Sequence, residues 1–227
     1  MKAIVLFSGG LDSTTCLALA VKEYGTNNVI ALSLRYGQKH AKEIICAKAV
    51  TDHYRVEWIE FDVSKVFEGS KCGLLAANDS IPLESYEEQL KSTNGDPVST
   101  YVPFRNGLFL SIAASIAISK GCDVIYYGAH KDDAAGNAYP DCSETFNKSI
   151  AEAIYEGSGR KIKVIAPFIS RTKADIVKIG LDLNAPYNMT WSCYNGREKA
   201  CGKCGTCIDR RRAFAINGAE DPIEYEE

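Results

Sequence analysis

The sequence predicts a doubly wound α/β fold on a mostly parallel sheet. Three observations predict it. Short apolar runs alternate with stretches of helical apolar spacing through the first half of the chain. The first of those runs, residues 3–7, is apolar throughout, as expected of a strand covered on both faces. The length, 227 residues, suits one domain with a small appendage.

Residues 3–7 (AIVLF) give the first buried strand and residues 13–24 the helix after it. Residues 29–34 give a second strand, 39–52 an amphipathic helix and 56–61 a third strand. Residues 62–100 break the rhythm, being rich in Ser, Glu, Asn, Gly and Lys with Pro82 and Pro97. A connection of that length is uncommon in a compact domain unless it is functional or mobile. It reads either as an insertion near the site, serving as a lid or an oligomer contact, or as a solvated surface excursion. The rhythm then resumes with a helix at 106–119, a strand at 124–127, a polar loop at 128–139, a helix at 142–156, a strand at 162–166 and a helix at 172–181. Beyond Pro186 there is no strand signal, and the acidic residues 220–227 are expected to fray.

Composition excludes several classes. Hydrophobic residues make up 46% and charged residues 24% of the chain, ordinary values for a globular protein. A net charge of −3 argues against broad phosphate-backbone binding, which needs a basic excess; no direct nucleic-acid binding is expected. The start, MKAIVLF, is cut off by Ser8-Gly9-Gly10 before a secretory core of about 7–15 apolar residues can form. The uncharged stretch between Arg105 and Lys120 is shorter than the roughly 20 residues a membrane span needs. A cytoplasmic location without membrane association is expected.

The most informative stretch is Phe7-Ser8-Gly9-Gly10-Leu11-Asp12-Ser13, joining a buried strand to a helix. Adjacent glycines let the backbone turn tightly and approach a ligand. The following helix aims free N–H groups and its positive dipole end at the same spot. Ser8, Ser13 and Thr14 add hydroxyls, and Asp12 makes sense as a magnesium partner or a helix-start carboxylate. The loop lacks the lysine of a Walker A motif and the spacing of a dinucleotide fingerprint. It resembles the SGGxDS loop of the PP-loop ATP pyrophosphatases, which cleave ATP between the α- and β-phosphates and adenylate their substrates.

The chain has nine cysteines, an odd number, and four of them fall in the run Cys193-x7-Cys201-x2-Cys204-x2-Cys207. Four thiolates close a tetrahedral shell around zinc, which makes the metal structural rather than catalytic. An iron–sulfur cluster is the competitor, but the usual fourth C-x3-C-P is missing. Cys16, Cys46, Cys72, Cys122 and Cys142 are scattered. The basic run Arg210–Arg212 reads as a solvated helix face. The expected division is therefore an α/β nucleotide-binding domain at 1–185, with the insertion at 62–100, and a zinc-binding segment with an acidic tail at 186–227.

The segments FSGGLDSTTCL (7–17), RYGQKHAKEI (35–44), STYVPFRNGLFL (99–110), AYPDCSETF (138–146), TWSCYNG (190–196) and CGKCGTCIDRR (201–211) run from end to end. Through them the chain resembles the 7-cyano-7-deazaguanine synthases, a queuosine-pathway family with a PP-loop, adenine-nucleotide alpha-hydrolase-like fold. The resemblance implies a ligase that turns 7-carboxy-7-deazaguanine and ammonia into a nitrile. Adenylation would activate first the carboxylate and then the amide, each time releasing AMP and pyrophosphate. It implies ATP with magnesium at Phe7, Ser8, Gly9, Gly10, Leu11, Asp12, Ser13, Thr14, Thr15, Cys16 and Leu17, and a homodimer.

Candidate catalytic residues are Asp12, Arg105 and Asp133. Candidate substrate residues are Arg105, Asn106, His130, Asp133 and Asp141. Arg105 would balance phosphate or acyl-adenylate charge, or else form a surface ion pair. Asp133 and Asp141 would accept hydrogen bonds from a guanine-like edge, or Asp141 would cap the helix that follows it. Cys142 reads as a small buried thiol. The three histidines, His40, His53 and His130, lack metal spacing. Leu11 stands where the family often has glutamine. The stretch from His130 to Tyr139 is longer than the family's usual Glu-x-Asp-x-Ser-Gly loop and chemically different from it. Two other functions stay open: a PP-loop enzyme adenylating a different carboxylate or a tRNA base, and a non-catalytic zinc-knuckle binding module.

Overall fold

The structure is a computed structural model that describes residues 1–38, 42–75, 86–93 and 96–226. Strand β1 (Ala3–Leu6) leads to α1 (Leu11–Tyr24), β2 (Val29–Arg35) to α2 (Lys42–Tyr54), and β3 (Glu57–Asp62) to the insertion with α3 (Tyr86–Ser92). Then follow α4 (Arg105–Lys120), β4 (Val124–Tyr126), α5 (Lys131–Ala134), α6 (Glu144–Gly157), β5 (Lys163–Ile165), α7 (Lys173–Asp182) and α8 (Gly205–Ile216). Among the described residues the strands form one sheet in the order β3-β2-β1-β4-β5. Every neighbouring pair is parallel.

Side chains along a strand alternate between the two faces, and β1 is buried on both. Ile4 and Leu6 join Ile30, Leu32 and Ile125 under Leu110, Ala113 and Ala117 of α4 and Ile154 of α6. Ala3, Val5 and Phe7 face the other way, into a cluster with Leu11 and Leu17 of α1, Ala47 and Val50 of α2, and Ile176 and Val177 of α7. Helices therefore cover both faces, as the unbroken apolar run in β1 requires.

The third strand forms one residue later than expected and is an edge strand; Phe61 in it is 50% exposed, and Glu57 and Glu60 suit such an edge. The start of the helix expected at 39–52 lies outside the described residues, and α2 is described from Lys42. The polar stretch 128–139 is not a plain loop, since it contains α5. The helix expected from residue 142 starts at Glu144, because Ser143 caps it by accepting the Phe146 N–H at 3.1 Å.

The described flanks of the insertion are not a solvated excursion. Phe67, Leu74, Leu75, Val98 and Val102 join the core. The Gly73 N–H donates to the Ser99 carbonyl at 2.9 Å and ties the flanks together. Residues 76–85 and 94–95, the middle of that segment, lie outside the described residues.

The tail is pinned rather than frayed. The Ala200 N–H donates to the Glu224 carbonyl, the Glu226 N–H donates to the Ala200 carbonyl, and Asp221 pairs with Arg210. Helix α8 packs on the body of the domain through Ala213 and Phe214, which sit in the same cluster as β1 and α7. Phe214 is 1% exposed and meets the Tyr187 ring edge-on at 5.4 Å. Phe214→Ala should cost about 3–5 kcal/mol in a urea titration that keeps a single transition. A separate early transition of the C-terminal segment would show that α8 does not share the core.

Candidate active site and metal centre

The chain leaves β1 towards β2 and β3 on one side and returns to β4 and β5 on the other. The carboxyl ends of β1 and β4 thus form a switch point, where open α/β sheets bind ligands. A cavity of about 240 Å³ opens there. Phe7, Ser8, Gly10, Leu11, Asp12 and Ser13 line it from the β1–α1 junction. Glu43 contributes from α2, Arg105 and Asn106 from α4, His130 and Asp133 from the β4 side, and Lys173 from α7. Trp191 and Asp209 close it from the C-terminal segment.

The loop takes its shape from one close approach. Gly9 has φ +83°, and a Cβ there would lie 2.4 Å from the Glu43 carbonyl oxygen and 2.6 Å from the Ala47 nitrogen. Only glycine fits. Ser8 Oγ and Ser13 Oγ lie 3.1 Å apart, and Ser13 Oγ donates to the Gly10 carbonyl at 3.2 Å. Gly10, the N-cap of α1, makes no side-chain cap bond, so the first N–H groups of that helix face the cavity uncapped. The rest of the segment lies deeper. Thr14, Thr15, Cys16 and Leu17 are buried outside the cavity lining, with the Thr15 hydroxyl bonded to the Leu11 carbonyl and to Tyr187 Oη at 2.7 Å.

Opposite charges converge beside the loop. Lys173 Nζ lies 2.5 Å from Asp12 Oδ2 and 3.3 Å from His130 Nε2, which in turn is 3.3 Å from Asp133 Oδ2. Burial alone would raise the Asp12 pKa, but Lys173 and His130 hold it below the usual carboxylate range. Burial would likewise lower the Lys173 pKa, but Asp12 and Asp133 hold it above its ordinary value. Both groups stay charged at neutral pH. Asp12 Oδ1 is buried without a hydrogen-bond partner among the described residues.

Arg105 makes no ion pair among the described residues. Its guanidinium lies 5.4 Å from the Tyr36 ring centroid and 6.0 Å from that of Phe109, so the surface ion-pair reading does not hold. Asp141 does not line the cavity. It caps a helix, but α4 rather than α6: its Oδ2 accepts the Asn106 N–H at 2.8 Å. Asn106 Nδ2 donates back to the Asp141 carbonyl at 3.1 Å and to Cys142 Sγ at 3.2 Å. Burial pushes the Cys142 thiol well up, which keeps it neutral. His40 lies outside the described residues, and His53 is not in the cavity lining.

Arg210 corrects the reading of the basic run. It is fully buried, while Arg211 and Arg212 are exposed. Asp221 takes its charge at 2.8 Å, and its remaining N–H groups reach Thr190 Oγ1, Ser192 Oγ and the Tyr187 carbonyl. At residue 210 the helix turns the same side to the interior as at Ala213 and Phe214. Arg210 thereby carries the strand-like stretch that holds Trp191, whose N–H donates to the Gly9 carbonyl at 3.0 Å. Lys42 Nζ sits 3.7 Å from the Trp191 ring centroid.

Just beyond Trp191 lies the candidate metal centre. The sulfurs of Cys193, Cys201, Cys204 and Cys207 are buried and all within 4.8 Å of one another. Backbone N–H groups of Asn195 and Cys201 point at Cys193 Sγ, and that of Cys204 at Cys201 Sγ, which supports thiolate charge. Bonds of about 2.3 Å to each thiolate fit a shell of this size, so the four residues suit a tetrahedral metal.

Residues 2–218 match the family described as Queuosine biosynthesis protein QueC. The chain belongs to the QueC family. A relative from Archaeoglobus fulgidus, named 7-cyano-7-deazaguanine synthase, is 40% identical over 100% of this chain and 91% of its own. One of the same name from Pseudoalteromonas atlantica is 42% identical over 99% of each. The solved NMN synthetase of Francisella tularensis superposes with a TM-score of 0.53 at 15% identity, covering 96% of this chain and 78% of that one; it shares the fold.

Sequence reasoning missed Lys173, Glu43, Asp209 and Trp191. Lys173 had a signal: a cation in the first turn of a helix opposes the dipole and needs a reason to be there. Removing the metal with a chelator should lower the melting temperature and red-shift Trp191 emission in a Trp58→Phe background. Unchanged melting and emission would show that the knuckle stands without metal.

Proposed function

We propose that this chain is an ATP-dependent carbon–nitrogen ligase converting 7-carboxy-7-deazaguanine and ammonia to 7-cyano-7-deazaguanine. The observation that carries the proposal is a single cavity joining an uncapped glycine loop and Lys173 on one side to Arg105 and aromatic walls on the other. The relatives' name supplies the substrate class.

The ATP phosphates would lie against Ser8, Gly9, Gly10 and Ser13 and the start of α1. Lys173 would then meet the charge that develops on the departing pyrophosphate. Magnesium, when bound, neutralises phosphate charge, and Asp12, with its unpartnered Oδ1, is the carboxylate placed to hold it. Arg105 would hold the substrate carboxylate. Asp133 and His130 would meet the guanine-like edge, Tyr36 and Phe109 the ring faces. Asn106, tied to Asp141 and Cys142, would fix the wall beneath. The substrate carboxylate attacks the α-phosphorus and pyrophosphate leaves. Ammonia then displaces AMP from the acyl carbon and gives the amide. A second adenylation at the amide oxygen lets AMP leave again, with protons lost from nitrogen, and gives the nitrile.

Four cysteine ligands leave no open position for chemistry, so the knuckle metal, which we take as zinc, is structural. The α/β domain at 1–185 and the zinc segment at 186–227 then supply two walls of one site. A cytoplasmic homodimer accompanies this reading by family resemblance.

Purified protein given ATP, magnesium, ammonium and the carboxylate should release about two AMP per nitrile, one for each activation, as read by mass spectrometry. AMP without nitrile would point to another carboxylate, and no AMP at all would leave a binding module. Lys173→Met should keep the fold yet lower AMP formation about 10²–10³-fold, as loss of one preorganised donor does. Near-normal AMP release by that variant would remove Lys173 from the phosphate site.

A further inference from the structure

Two carboxylates of the cavity lining, Asp209 and Glu43, have no part in the scheme above. Glu43, in the first turn of α2, lines the cavity beside Tyr36, Gln38 and Arg105. Its position is fixed from behind, since its own carbonyl is the atom that excludes a side chain at Gly9. No hydrogen-bond donor among the described residues reaches its carboxylate. The charged and titratable groups around it are Arg105 from α4, Tyr36 after β2, and Cys46 and Lys42 on α2. Burial lifts its pKa to about 7, against the pull of Arg105. At neutral pH it is divided between its two forms, the condition that suits a proton acceptor.

The other acids near the site are committed elsewhere. Asp12 is held by Lys173, Asp133 lies beside His130, and Asp141 serves Asn106. Asp209 faces Lys173 on the phosphate side. Glu43 stands next to the arginine that would hold the reacting carboxylate.

The reaction needs a base at nitrogen twice. When ammonia adds to the acyl adenylate, its lone pair forms the C–N bond, the C–O bond to AMP breaks with its pair, and the nitrogen sheds a proton. When the adenylated amide, as its neutral imidate, collapses, the N–H pair becomes the third C–N bond, and AMP again leaves with the C–O pair. We propose that Glu43 is the general base that accepts the nitrogen proton in both steps, returning it to solvent between them. This rests on the ligase reading above.

The test compares wild type with Glu43→Gln in two assays. Carboxylate-dependent exchange of labelled pyrophosphate into ATP without ammonia involves no nitrogen, so it should stay within about threefold of wild type. Nitrile formation, from the carboxylate with ammonium or from the amide, should fall about 10²-fold or more, the usual worth of a general base. Glu43→Asp, which keeps a carboxylate, should recover at least about tenfold of that loss. Parallel loss of exchange and nitrile in both variants would make Glu43 a binding or structural group and overturn the proposal. Nitrile formation retained in Glu43→Gln would overturn it equally. Wild type that exchanges pyrophosphate yet makes no nitrile would sink the ligase reading itself, and the proposal with it.

Discussion

Backbone meets backbone at Gly9, and the rest of the site is arranged around that contact. The first turns of α2 lie so close to the loop that no Cβ fits between them, and this closeness brings Glu43 to the cavity edge. On its other side Gly9 offers its carbonyl to the Trp191 N–H. Strand, helix and C-terminal segment are thereby fixed against one short loop. A ligand lying on that loop meets groups from all three without any of them having to move, which is the preorganisation that electrostatic catalysis relies on.

Charge is distributed across the cavity in the same economical way. The side next to α7 holds a largely but not fully buried ion pair, Asp12 with Lys173, with His130 and Asp133 beside it. The side next to α4 holds Arg105 among aromatic rings with no ion pair among the described residues. A buried ion pair contributes little net stability once desolvation is counted. In the proposed scheme the Asp12–Lys173 pair is a group set ready for an anion, whose arrival would add charge that Lys173 can share. Arg105 and Glu43 face the same cavity on that side, and neither has an ion-pair partner among the described residues.

The parallel sheet and its two-sided covering were legible because β1 is apolar without interruption and strands alternate with helices. The strand expected at 56–61, broken by Glu57 and Glu60, forms the edge, a place in the sheet that a linear pattern does not reveal. The glycine loop at the strand–helix junction and the clustering of the four cysteines were legible because spacing alone constrains them. Arg210 was not. Three consecutive arginines read as a solvated face, and the partner that buries the first of them, Asp221, stands in a tail that composition marked as loose. Lys173 and Glu43 were hidden for a related reason: each is an ordinary surface-type residue whose role comes from what the fold places opposite it. Asp141 shows the reverse, an acid with capping character whose helix turned out to lie 35 residues earlier in the chain.

The buried arginine has a consequence for how the protein matures. Arg210 and Asp221 hold the stretch that carries Trp191, and both are translated after every other part of the cavity has been made. A nascent chain that has emerged only as far as α7 already owns the glycine loop, Lys173 and Arg105, yet lacks the wall that backs the loop. The cavity is therefore complete only once the last few dozen residues, the four clustered cysteines among them, have been made.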